Sequence, residues 1–72
     1  MGMLILEATD SAGEQLASQA ADSTGLVMGW DGELSCATFD SDEMDDGELQ
    51  VAVYDALAAI DPDWSSHLQV TE

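Results

Sequence analysis

The sequence predicts an α+β domain: a four-stranded antiparallel sheet carrying two helices on one face, in the order β-α-β-β-α-β. Three observations predict it. The chain opens on a short apolar run, it carries an Asp-Gly dipeptide between two further apolar runs, and each of these blocks is followed by a segment with apolar residues at helical spacing.

Residues 3–7, Met-Leu-Ile-Leu-Glu, are too short for a helix and read as a buried strand. Thr9, Asp10 and Ser11 follow as N-cap candidates, and Asp10 or Ser11 with Glu14 or Gln15 downstream has the form of a capping box. From there to about Ser23 the chain is rich in Ala, Gln, Leu and Glu, all good helix formers. Leu16, Ala17, Ala20 and Ala21 make a narrow apolar stripe, whose small side chains call for close packing against a sheet. Gly25 supplies the stop. Residues 26–30 read as the second strand, Asp31-Gly32 as a two-residue type I′ turn, and residues 33–39 as the return strand. A second helix is expected to begin within residues 41–45. Leu49, Val53, Ala56, Leu57 and Ile60 form its inner face, and Asp61-Pro62 ends it. Leu68 and Val70 alternate with polar neighbours across residues 66–71, a last strand. This order is the ferredoxin-like, split βαβ arrangement. It accounts for residues 1–72 as one domain.

Charge is the anomaly. The chain has sixteen Asp and Glu, one His, no Lys and no Arg, for a formal net charge of −16. An average domain of this length would hold roughly eight or nine basic residues. With 46% hydrophobic residues the chain does not have the composition of a disordered segment. The folded body therefore repels itself, with only His67 and the N-terminal amine as internal cations. Compensating cations must come from outside. Nucleic acid and anionic membranes are excluded as direct partners by the same repulsion. A single cysteine, Cys36, allows no internal disulfide. The apolar start is too short for a signal segment and no stretch approaches a membrane span, so the expected location is the cytoplasm.

The densest acidic stretch is residues 40–48, where Asp40, Asp42, Glu43, Asp45, Asp46 and Glu48 are six of nine residues. Carboxylates suit a helix start, where they meet the dipole and the free N–H groups. Spaced three or four apart on a helix they also form an anionic ridge, comparable in spacing to the phosphates of a DNA strand. The stretch fails as a calcium loop. With Gly47 at the sixth position, Asp42 and Asp46 fit the first and fifth, but Met44 and Val53 stand where the third and twelfth ligands belong. One His and one Cys without metal spacing make no zinc site. Cys36, within a strand, is expected to be a small buried hydrophobe rather than a nucleophile. His67, by the negative field, is expected to hold its proton and neutralise a nearby carboxylate. No phosphate loop is present, and no Lys or Arg to hold a phosphate. Of the aromatic residues, Trp30 beside the turn or Trp64 after Pro62 is expected to be partly exposed, a natural anchor for an Arg side chain.

In size, acidity and its 40–48 ridge, the chain resembles the DNA-mimic inhibitors of phages and mobile elements, of anti-CRISPR and anti-restriction type. The resemblance implies a non-enzymatic protein that occupies the positive DNA- or RNA-binding groove of a defence complex or another nucleic-acid-binding protein. Its partner would be a Lys/Arg-rich protein surface, met by Asp40, Asp42, Glu43, Asp45, Asp46 and Glu48 with Asp31, Glu33 and Asp55. No cofactor and no metal are implied. Two alternatives stay open: a salt-adapted domain of haloarchaeal type, and an acidic interaction module that sheathes a basic tail. Haloarchaeal proteins generally keep some Arg, which this chain lacks.

Overall fold

The computed structural model describes residues 2–70. In chain order they form β1 (Gly2–Ala8), α1 (Ser11–Thr24), β2 (Val27–Asp31), β3 (Cys36–Ser41), α2 (Asp46–Ile60), a short 3-10 turn (Trp64–Ser66) and β4 (Leu68–Val70). The sheet order is β2-β3-β1-β4, with every neighbour antiparallel. This is the predicted ferredoxin-like arrangement: β1 and β2 run parallel, joined by α1, with β3 inserted between them.

Strand alternation decides which side chains meet the helices. On β1, Leu4 and Leu6 point inward and lie opposite Phe39 and Ala37 of β3. On β2, Met28 and Trp30 flank the same two β3 residues from the other side. Leu16, Ala17 and Ala20 of α1, and Leu49, Val53 and Leu57 of α2, close over this layer, with Leu68 of β4 at its edge. Phe39, Leu6, Leu49, Leu57 and Leu68 are essentially sealed from solvent. Each contributes about 1.5–3 kcal/mol relative to exposure. The alanines of α1 let that helix lie close to the sheet, as its stripe predicted, although Ala21 is only half-buried.

Both helix starts are capped by aspartate. Asp10 Oδ1 accepts from the N–H groups of Ala12 (3.0 Å) and Gly13 (3.2 Å). Asp45 Oδ1 accepts from the N–H of Glu48 at 2.8 Å. Helix α1 stops at Gly25, whose φ of 74° is the left-handed conformation that glycine adopts without steric cost. Gly13 is required for a different reason. A Cβ placed there would stand 2.5 Å from the carbonyl oxygen of His67 and 2.8 Å from Cβ of Ala8. Its absence lets the first turn of α1 rest on the backbone entering β4.

Three details depart from the sequence expectations. The β2–β3 connection is not a two-residue type I′ turn: Asp31 pairs with Cys36, leaving residues 32–35 as the loop. Asp31 Oδ1 accepts from the N–H groups of Glu33 (3.0 Å) and Leu34 (3.3 Å), an Asx turn that outcompetes the tighter hairpin. The left-handed residue is Ser35, at φ 54°, not Gly32. The carbonyl of Ser35 accepts from Ala8 N–H at 2.7 Å, so the wider loop is tied to β1. Cys36 is accordingly not core: it opens β3 half-buried, because Ala37 and Phe39 take the inward positions. The last strand is shorter than expected, since the 3-10 turn takes up Ser66; the expected strand residue Thr71 lies outside the described residues. Both tryptophans are half-buried, Trp64 against Tyr54 with ring centroids 4.9 Å apart.

Candidate protein-binding site

The acidic stretch does not form one continuous helical ridge. Asp40, one residue before the end of β3, lies on the sheet face opposite the helices, while Asp42 and Glu43 lie in the connection to α2. Ser41 shapes that connection, its Oγ accepting from the N–H groups of Glu43 (3.2 Å) and Met44 (3.1 Å). Asp45 is the N-cap, and Asp46 and Glu48 occupy the first turn. The carboxylates therefore divide by task. Asp45 holds the helix start, and Asp46 Oδ1 accepts from Met3 N–H at 2.9 Å, which docks α2 on the start of β1. Among the described residues, the carboxylates of Asp42, Glu43 and Glu48 accept no hydrogen bond from the protein and are exposed. Those three, with Asp40, are the ones available to a partner.

Two shallow depressions flank this segment. One, of about 460 Å³, lies between the end of α1 and the β3–α2 connection, with Asp40, Asp42 and Glu43 on one wall and Gly25 and Val27 on the other. The second, of about 510 Å³, runs along α2 between Met44, Gly47, Glu48, Val51 and Ala52. Glu48, Val51, Ala52 and Asp55 share one helix face by their spacing. Val51 is 61% exposed, an apolar floor between two carboxylates. Such a strip suits an Arg or Lys, whose methylene stem packs on apolar surface while its head meets a carboxylate.

Compared with protein-family models, curated proteins and solved structures, the chain matches none of them.

The remaining expected contacts are spread out. Asp31 and Glu33 lie at the opposite end of β2 and β3 from the acidic connection, roughly 15–20 Å away by strand rise. Asp31 is also engaged in its own turn. Asp55 lies about 14 Å along α2 from Asp46. The nine expected residues thus fall into one cluster, residues 40–48, extended along α2 by Asp55, and a separate hairpin pair. No charged side chain among the described residues is fully buried, so the acidic field is a surface property throughout. Among the described residues no group of three or more His, Cys, Asp or Glu stands ready to hold a metal ion. No helix there is long and apolar enough to cross a membrane.

Sequence reasoning missed one partner: the carboxylate that meets His67. It is Asp10, whose Oδ2 lies 2.8 Å from His67 Nδ1 while its Oδ1 caps α1. The contact joins residues 57 positions apart, so no local pattern announces it. Thr9 completes the clasp, its N–H and its hydroxyl donating to the carbonyls of His67 (2.8 Å) and Ser66 (3.0 Å). The Asp10 hydrogen bond first, then the charges of Asp10, Asp61 and Asp63, raise the His67 pKa above its ordinary value. The His67 hydrogen bond, then the Gly13 N–H, lower that of Asp10. For a raised histidine, the stabilising contribution is complete below the unfolded pKa and is lost as pH climbs through the folded one. For the lowered aspartate, it is lost as pH falls through the folded value. His67→Gln should therefore destabilise the domain at mildly acidic pH and converge on the wild type at alkaline pH. Thermal melts across that range check this, and an offset independent of pH would contradict it.

Proposed function

We propose that this protein is an acidic nucleic-acid mimic, which binds and blocks the positively charged DNA- or RNA-binding surface of another protein or complex. The carrying observation is the charge distribution. Sixteen carboxylates meet no Lys or Arg, and the one ion pair among the described residues is His67 with Asp10. The cluster of Asp40, Asp42, Glu43 and Glu48, continued along α2 by Asp55, presents unengaged negative charge next to exposed apolar surface. That combination favours a partner over hydration alone. Val27, Val51 and Met3 are 71%, 61% and 54% exposed, and a surface selected only to stay hydrated in salt gains nothing from them. The mechanism is competition: long-range attraction speeds encounter, and charge-assisted contacts to Lys and Arg hold the complex. No catalytic step is part of this reading.

The test is capture from host extract with the immobilised protein. A recovered nucleic-acid-binding complex, released both by competing DNA and by salt, supports the proposal; binding indifferent to ionic strength overturns it. The variant to compare is Asp42→Asn/Glu43→Gln/Glu48→Gln. It leaves the Asp45 cap and the Asp46–Met3 contact in place and removes only unengaged charge. Its affinity should fall by about 10–100-fold, mostly through slower association, while its melting temperature holds or rises.

A further inference from the structure

The two helices cover one face of the sheet, and the strand register defines what the other face displays. One cross-strand row is Val27–Asp40–Met3, the next Gly29–Thr38–Ile5, the third Asp31–Cys36–Glu7. The centre of this face is apolar or neutral, and carboxylates stand in its outer rows. Val27 and Met3 are 71% and 54% exposed, Ile5, Thr38 and Cys36 are half-buried, and both helices pack against the opposite face, on Leu4, Leu6, Ala37 and Phe39.

Gly29 is the informative residue. It sits in the middle of β2, where glycine weakens a strand and often marks close approach by another chain. Nothing inside this fold calls for it. Its φ is not positive, and a Cβ built there meets no atom within 4 Å. The missing side chain leaves a dent in the open face beside Thr38.

We infer that the open sheet face, dented at Gly29, is a docking surface for a cationic amphipathic segment of the partner protein, its apolar side chains over Gly29, Thr38 and Ile5 and its Arg or Lys heads at Asp31, Asp40 and Glu7. The inference rests on the mimic reading and names the face that reading left unassigned. Charge complementarity selects the occupant. A second copy of this chain would bring another −16. Nucleic acid and anionic lipid are repelled in the same way. A purely hydrophobic partner would leave the carboxylates of the outer rows desolvated and unpaired. Asp40 joins this face to the acidic connection before α2, so one partner can engage both.

The test uses the whole chain and two defined probes: a helical peptide with a Leu face flanked by Arg, and oligolysine of equal charge. Amide chemical shifts should respond to the Arg/Leu peptide at Met3, Ile5, Val27 and Thr38, and to oligolysine over the acidic surface generally. Gly29→Val should fold with equal or higher melting temperature, bind the Arg/Leu peptide at least about tenfold more weakly, and bind oligolysine unchanged. Val27→Ser, at a position already exposed, repeats the test from the neighbouring row should the valine variant misfold, and should also weaken the peptide alone. Shifts confined to residues 42–55, with both variants silent, would overturn the face assignment and leave the mimic reading standing. Failure of both probes to bind at about 0.1 M salt would overturn both.

Discussion

Between about 0.1 and 1 M NaCl, urea denaturation should show the domain gaining about 6 kcal/mol of stability. The magnitude follows from size and charge. A radius of gyration of 10.7 Å corresponds to a sphere of about 14 Å radius carrying the formal charge of −16. In water such a sphere stores ~16 kcal/mol of self-repulsion at a Debye length of ~10 Å, and ~7 kcal/mol at ~3 Å. The unfolded chain, near 26 Å in radius of gyration, stores ~4 kcal/mol falling to ~1 kcal/mol over the same change. Folding therefore works against ~12 kcal/mol of repulsion at the lower salt and ~6 kcal/mol at the higher. A domain of this length has a total stability of about 4–11 kcal/mol, so the effect is as large as the stability itself. Urea is the right denaturant because guanidinium is itself a screening cation. A stability indifferent to NaCl would mean that the charges are already compensated within the chain, and the case for an external cationic partner would fall with it.

The same numbers connect stability to function. A partner's Lys and Arg groups lower the repulsion locally as salt does globally, so binding and folding are linked through one term. Salt then has opposite effects on the two: it steadies the free domain and weakens the complex.

What could be read in advance depended on how local the cause was. The order of elements was legible because apolar spacing changes from strand-like in residues 3–7 to helical around Leu49, Val53 and Leu57, and because Asp10, Asp45, Gly25 and Pro62 act on neighbours within a turn. The β2–β3 loop was not. Asp-Gly fits a type I′ hairpin as far as dihedral preference goes, but the Asp31 carboxylate can also take the N–H groups of Glu33 and Leu34, and Ser35 finds a long-range acceptor role toward Ala8. Propensity alone does not rank those outcomes. In the acidic cluster the sequence displays charge but not engagement. Asp42 and Asp46 look alike in one dimension, and only the return of β1 beside the start of α2 makes Asp46 a structural acceptor. The open sheet face was hidden for the same reason: which of Gly29 and Met28 faces solvent depends on which side the helices cover.

Gly13→Ala should lower the melting temperature by roughly 10–20 °C, although alanine is the better helix former. Two terms oppose each other. The substitution gains at most about 1 kcal/mol of helix propensity, since Gly13 lies in the first turn of α1. Against it, the new methyl would sit 2.5 Å from a backbone oxygen and 2.8 Å from Cβ of Ala8, neither of which belongs to a flexible side chain. Relief requires the first turn of α1 to lift off β4, at a cost of the order of 3 kcal/mol or more for an overpacked site, leaving a net loss of ~2–3 kcal/mol. In a domain this small each kcal/mol is worth about 4–8 °C. The lift has a second signature. It separates Asp10 from His67, so the variant should also lose the pH dependence that the His67 hydrogen bond confers on the wild type. Gly29→Ala is the internal control, since the same methyl group there meets nothing within 4 Å. Melts of both variants at mildly acidic and alkaline pH, in high salt so that each begins well folded, read both effects together. If Gly13→Ala melts within a few degrees of the wild type, α1 does not rest on the chain entering β4, and the placement of Asp10 beside His67 goes with it.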